Sequence, residues 1–343
     1  MGPIRALLLL LIGLTFLAIS TSVQANPSAP LRVALLLEHN GQSTWTNQLK
    51  AGLERSKKDF GIDTKVVIES DEDKQEAVFR QCAEQNDLIL VASDRFHEIL
   101  RDNARRFQHV HFGCIDAGIR GTNITCITYA DEQAAFLAGA AAALFADNRA
   151  QDTGRGKAIG WISGEDIAAM RSMFNGFREG AKLAVPDMRV IQGIAGSFAN
   201  PEAAAKEAKR LITEGVYVLV LAAGASNVGA LEQAKKAGIY VIGLDSDQRS
   251  EYPQHVLLSI VKNIDGAVYS IIRDMVQGQF KGKEIEIYDL QNGVSVTDPK
   301  TSLGTNAPIL STISRRLGEL GHELKSGGIH LKSLRQRTLC NCL

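Results

Sequence analysis

Ile239–Gln248 reads IYVIGLDSDQ. An apolar run ends in two acids, Asp245 and Asp247, with one serine between them. A parallel strand covered on both faces needs a near-continuous apolar sequence. In open α/β sheets, ligands sit outside the carboxyl ends of such strands. Both acids therefore stand where a ligand is read rather than where a core is packed. Carboxylates there suit a ligand that offers hydroxyl or amine donors.

The same rhythm runs through the chain. Strand patterns fall at 31–38, 64–70, 88–93, 109–116 and 124–129, and again at 157–164, 188–196, 216–224, 239–247, 256–261 and 284–290. Amphipathic helices lie between most of them, for example Trp45–Phe60, Asp73–Asn86 and Pro201–Glu214. In the last, Asn200 caps and Pro201 takes the first helical position. Such alternation predicts two doubly wound, parallel-sheet α/β lobes in succession. The length of 343 residues agrees, at about 100–200 residues per domain.

Helix Asp131–Phe145 is apolar almost all round, so it is expected to be buried, with Gly139 and its alanines allowing close backbone approach. A polar connector, Asp147–Gly156, follows it. A late helix, Asp265–Gln277, and the strand after it are expected to return to the first lobe, which makes several crossings and hence a hinge. The expected division is 26–129 with 262–288 in one lobe, and 130–261 with 289–343 in the other.

Thirty-eight basic and 38 acidic residues give a formal net charge of zero. A nucleic-acid binder carries a basic excess, so that class is set aside. At the N-terminus, Arg5 precedes the apolar run Ala6–Ile19, and Ser20–Ala25 is polar and small. This is the pattern of a secretory signal peptide cleaved after Ala25. The run falls short of the about 20 residues that span a bilayer. No cysteine lies near the cleavage point, so a soluble periplasmic protein without a lipid anchor is expected.

Five cysteines then matter in an oxidising compartment. Cys114 and Cys126 lie in consecutive predicted strands, and two readings stand: a disulfide, or two buried thiols. Cys82 sits in a helical pattern and is read as packed. Cys340 and Cys342 form a C-x-C without a companion Cys/His pair, which reads as a frayed tail rather than a metal site.

No nucleophile elbow, phosphate-binding P-loop or strand–GxGxxG–helix unit is present, and His109 and His111 read as structural. An enzyme is therefore not the reading, and neither metal nor cofactor is expected. Polar and aromatic residues instead collect at strand ends. Gln42, Ser43 and Trp45 follow the first strand; Trp45 is either a staple onto the sheet or a flat wall for a ring. Asp116 ends the fourth strand, as a turn residue or a ligand acceptor. Arg171 lies on the helix after Ser163–Asp166, where a solvated charge is the plain alternative. Phe198 follows the 188–196 strand. Gly224 ends another, where a missing Cβ lets a ligand approach the backbone. Lys262 follows LLSIV, either in a surface ion pair with Asp265 or as a donor to a ligand oxygen. Two lobes facing each other would line a cleft with these groups.

With the signal segment and two lobes, the motifs ADEQAAFLAG, GSFANP, AAGAS, VIGLDSDQ and SIVKNIDGAV resemble the basic membrane protein (BMP) family of periplasmic solute-binding proteins, over about Leu31 to Val296. That family includes purine nucleoside-binding lipoproteins of ABC transporters. The resemblance implies a type I binding-protein fold that closes on a small ligand. It implies a ring-stacking role for Trp45, where the family has an aromatic, and it matches Asp116 to the acid of an I-D-G-like turn. Gly224 matches an A-G-G turn, with Ala225 in place of the second glycine. Asp245 matches the ribose-binding acid, Lys262 the binding lysine, and Phe198 the aromatic of GSF/GSW.

The chain departs from the pattern where Gln42 replaces the family's acid, and where the lipidation cysteine is missing. The 304–343 tail matches poorly. The implied function is delivery of a purine nucleoside to an ABC permease by a monomer. Trp45 and Phe198 would stack on the base, Asp116 and Gln42 read its edge, and Asp245 and Lys262 hold the ribose hydroxyls. The alternatives are another heterocycle such as a flavin, a ligand sensor for a membrane receptor, and a secreted nucleoside-cleaving enzyme.

Overall fold

In a computed structural model of the chain, the described residues are 29–39, 43–153, 157–303 and 308–331. The expected signal segment with its expected cleavage after Ala25, residue Gln42, and the Cys340/Cys342 tail lie outside them.

The first run is β1 (Arg32–Leu37), α1 (Thr44–Phe60), β2 (Asp63–Ile68), α2 (Glu72–Gln85), β3 (Leu88–Val91), α3 (Asp94–Asn103), β4 (His111–Ile115) and β5 (Ile124–Tyr129). The second is α4 (Asp131–Thr153), β6 (Ala158–Ser163), α5 (Ala168–Ala184), β7 (Arg189–Ile194), α6 (Pro201–Thr213), β8 (Val216–Ala222), α7 (Asn227–Ala237), β9 (Tyr240–Asp245) and β10 (Val256–Lys262). The chain then adds α8 (Ile264–Val276), β11 (Ile285–Tyr288), β12 (Val294–Val296) and α9 (Pro308–Lys325). The sheets are ordered β11-β5-β4-β3-β1-β2 and β12-β10-β9-β8-β6-β7. Both belong to one compact unit beginning at Leu31.

The central strands β3, β6 and β8 are buried at every residue, as strands with helices on both faces must be. The edge strand β2 has no buried residue, and β7 buries only Gly193. Described pairings are parallel except that β12 runs antiparallel to β10. A three-residue strand returning after β11 can join β10 without a helical crossover, and antiparallel pairing needs no more.

The chain passes between the sheets three times: after β5, after β10 and after β11. Lys262 belongs to β10 and pairs with Val294 of β12, so the second passage starts after it, one residue later than the expected boundary. Apart from the one that starts at Asp131, the helices given bounds from the sequence are present within one residue at each end.

Two helices differ from the sequence reading. α4 continues to Thr153 through most of the predicted connector. α9 forms in a tail to which no element was assigned, and it buries Leu310, Ile313, Leu317 and Leu320 along one face. It packs on α4. Among the described residues, no helix is long and apolar enough to cross a membrane.

α4 lies against α5 at backbone distance. A Cβ on Gly139 would sit 1.9 Å from the Phe177 carbonyl oxygen, and one on Gly180 would sit 1.9 Å from that of Phe136. Neither helix can carry a side chain at those points. Gly139→Ala is expected to lower stability by about 2 kcal/mol, because forced separation outweighs alanine's roughly 1 kcal/mol advantage in a helix. Urea unfolding measures this. A midpoint equal to or above wild type would show that the helices separate freely.

Cys114 and Cys126 face each other directly across β4 and β5. Of the two alternatives, the structure holds them as separate buried thiols. Each sulfur is engaged by the turn after β4: Cys126 Sγ donates to the Ile119 carbonyl at 3.1 Å, and Cys114 Sγ to that of Ala117 at 3.6 Å. Burial, then the neighbouring Cys126, pushes the Cys114 thiol well above the usual range.

Candidate ligand-binding site

Parallel pairing gathers the carboxyl ends of each sheet along one edge. Val91 lies beside Cys114 and Ile115 beside Ile127 in the first sheet; Ser163 lies beside Ala222 and Asp245 beside Val261 in the second. A cavity of about 220 Å³ is lined from both edges. The first lobe gives it Ser43, Trp45 and Asp116, and the second gives Phe198, Gly224, Asp245 and Lys262.

Asp116 and Asp245 both adopt a left-handed backbone, with φ of 69° and 72°. Such φ values are uncommon outside glycine and mark turns held in place by their surroundings. For Asp245 the holding groups come from α1, in the other lobe. Gln48 Nε2 donates to the Asp245 carbonyl at 2.6 Å. Thr44 Oγ1 lies 3.1 Å from the Leu244 carbonyl and 3.3 Å from Asp245 Oδ2. These bonds tie the start of α1 to the end of β9 across the cleft. The Asp245 carboxyl is pushed up to about 6, chiefly by burial. Lys262 opposes the rise, and Asp131 and Asp116 add to it.

Lys262 is 3% exposed. Its ammonium lies 3.0 Å from Asp116 Oδ2 and 3.1 Å from Asp131 Oδ1. It also sits 4.3 Å from the Tyr129 ring centroid and 5.0 Å from that of Trp45, within cation–π range. The surface pair with Asp265 is not formed; Asp265 bonds Arg55 at 2.9 Å. The sequence reading puts Asp116 on the base and Lys262 on the sugar. The two are bonded to each other and form one charged floor beneath Trp45.

Phe198 is set by its neighbours. A Cβ on Gly164 would strike its ring at 2.2 Å, and one on Gly224 would lie 3.2 Å from its carbonyl oxygen. Ser226 Oγ accepts from the Asn200 amide at 2.7 Å and donates to the Ser197 carbonyl at 2.8 Å, which pins the loop from both sides. Gly224 has φ 58°, a turn that favours glycine. Ser43 caps α1, accepting from the Thr46 amide at 3.1 Å.

Arg171 is not in the lining. Its guanidinium is half-exposed and bonds Asp166 at 3.0 Å, so it stabilises the turn before α5. The same helix offers Met170 and Met173 to the cavity instead. Asp247 is exposed and pairs with Arg249 at 2.7 Å, which holds its carboxyl below the usual range.

Several groups escaped the sequence reading. Asp131 and Tyr129 support Lys262. Asp131 opens α4 one residue beyond the turn that follows β5, so the strand-end rule would have flagged it. Ser93, His97 and Glu165 line the cavity. Burial, then Glu38 and Asp94, raises the Glu165 carboxyl, with His39 opposing.

Residues 37–306 match the family model Bmp, described as "ABC transporter substrate-binding protein PnrA-like". Basic membrane protein A of Borreliella burgdorferi is 28% identical over 305 residues, covering 86% of this chain and 87% of that protein. An uncharacterized lipoprotein of Pyrococcus abyssi is 25% identical over 284 residues, covering 78% of this chain and 69% of that one. Among solved structures, an ABC transporter solute-binding protein of Aeropyrum pernix superposes with a TM-score of 0.81 at 23% identity, over 89% of this chain and 94% of that one. The two parallel-sheet lobes thus form a type I periplasmic binding-protein fold. The chain belongs to the Bmp family of PnrA-like ABC transporter substrate-binding proteins.

Proposed function

We propose that the ligand is a purine nucleoside, captured outside the cytoplasm and handed to a membrane permease. The observation that carries this reading is the Asp245 carboxylate, which is buried and lines a cavity with aromatic groups on opposite lobes, Trp45 and Phe198. An ionised carboxylate only accepts, so it suits vicinal sugar hydroxyls. Flat rings suit a base, and stacking on one aromatic contributes about 1–3 kcal/mol. A ligand that touches both lobes favours the closed form over the open one, which gives the permease a loaded shape to recognise.

Mass spectrometry of ligand released from the purified protein, followed by calorimetry with adenosine, guanosine and inosine, tests the reading. Expected are tight binding and recovery of intact nucleoside, with no free base. No heat with any purine nucleoside, alongside binding of another compound, sinks it. Trp45→Ala is expected to weaken nucleoside binding by about tenfold or more through lost stacking. Unchanged affinity would place Trp45 in packing alone.

A further inference from the structure

The cavity wall formed by α3 is unused by any contact described so far. His97 is 4% exposed, and its Nε2 lies 3.0 Å from the Ile115 carbonyl oxygen. A carbonyl oxygen only accepts, so Nε2 carries the hydrogen. In the neutral ring, Nδ1 is then an acceptor. Nδ1 is buried and makes no hydrogen bond among the described residues. Its charged neighbour is the Asp94 carboxylate, 3.7 Å away on an exposed side chain.

The Ser93 hydroxyl is also buried and, among the described residues, without a hydrogen bond. Ser93 holds the N-cap position of α3 but does not cap it. It precedes His97 by four residues, at the mouth of the helix that carries His97. Both line the cavity beside Trp45 and Asp116. Native proteins rarely leave buried polar atoms unsatisfied, and each such atom calls for a reason. Two on one face of a binding cavity have a common one.

We propose that His97 Nδ1 accepts a hydrogen bond from an N–H on the edge of the ligand's ring, with the Ser93 hydroxyl beside it completing the contact. This edge of the site then selects rings that carry an amino group or a ring N–H over rings that offer only acceptors. A site built to bond a donor rejects the analogue lacking it, because its own acceptor is left dry and unpaired. The inference rests on the nucleoside reading above and adds the feature by which one purine is chosen over another.

Calorimetry with adenosine, inosine and purine riboside tests it. The last has the same ring system and ribose but no N–H on the base. Wild type is expected to bind adenosine or inosine about tenfold or more tightly than purine riboside. In His97→Phe, which keeps a flat ring and removes Nδ1, the ratio is expected to fall within about threefold.

Nitrogen NMR of the wild-type imidazole gives a second readout that needs no variant. The free protein should show the Nε2-protonated tautomer, and the Nδ1 resonance should move with adenosine or inosine and stay in place with purine riboside. If His97→Phe does not fold, that resonance decides. Purine riboside binding as tightly as adenosine and inosine, a ratio kept in His97→Phe, or an unmoved Nδ1 overturns the His97 contact while leaving the nucleoside reading intact. Absence of binding by all three nucleosides and by guanosine overturns both.

Discussion

Lys262→Met is expected to cost about 3–5 kcal/mol of stability at pH 7, the scale seen when one partner of a buried ion pair is removed. Lys262 is almost wholly buried, Asp131 is 0% exposed, and Asp116 and Asp245 lie close by. Its ammonium joins Asp116 of the first lobe to Asp131 at the start of α4. Methionine fills much the same space, so the loss reports charge rather than volume. Three carboxylates would then share a buried floor without the ammonium that now lies among them.

Lys262 also opposes the rise of the Asp245 carboxyl, so without it that group climbs further above about 6. The deficit of the variant should therefore shrink as pH falls from 7 towards 5, where protonation relieves the repulsion. Urea unfolding of the ligand-free protein at both pH values measures this. A loss below about 1 kcal/mol at pH 7 would mean that the floor is wet enough to screen its charges.

Asp245→Asn is expected to act in opposite directions on stability and on binding. An aspartate in the unfolded chain titrates near 4. In the folded protein Asp245 titrates at about 6, mainly because burial disfavours its charge. Between those values the folded form holds more protons than the unfolded one. Its contribution to stability therefore falls as pH rises from about 4 to about 6, and the cost persists above that window.

At pH 7 the ionised group costs the ligand-free fold on the order of 2–3 kcal/mol. Asparagine removes that charge and tolerates the left-handed backbone at this position. The ligand-free variant should gain up to that amount at pH 7, and its stability should lose this group's downward slope between pH 4 and 6. Ligand affinity should fall by more than tenfold, since an amide offers one acceptor oxygen where the carboxylate offers two charged ones. In wild type, affinity should likewise weaken as pH drops below about 6. A drop of less than tenfold in the variant would remove Asp245 from the binding contacts.

The strand ends were readable because a single local rule governs them. A run such as Val216–Ala222 is apolar at every position, so it has to be covered on both faces. The turn beyond its carboxyl end is then where the sheet opens to a ligand. That rule located Trp45, Asp116, Phe198, Gly224, Asp245 and Lys262, all of which line one cavity. It failed for Arg171 because a helical position does not tell which way a long side chain will reach. Asp166, five residues earlier, captures it. It passed over His97 and Ser93 because α3 reads as an ordinary surface helix until Ile115, on another strand, takes His97 Nε2. The α9 helix was legible in its 310, 313, 317, 320 spacing, yet that spacing does not name α4 as the surface it covers.

By itself the sequence determined two doubly wound lobes, the order of their strands and helices short of β12 and α9, and the set of turns from which a site would be built. These follow from hydrophobic period and turn chemistry, which act over a few residues. Only the tertiary structure decided the pairings within that set. It joined Lys262 to Asp116 and Asp131 and sent Asp265 to Arg55. It set Thr44 and Gln48 of one lobe on Asp245 of the other, and it left His97 Nδ1 buried without a hydrogen bond among the described residues. Each is a choice among charges and hydrogen-bond groups far apart along the chain. Their energies depend on burial and on distances of a few ångströms, which no local pattern carries.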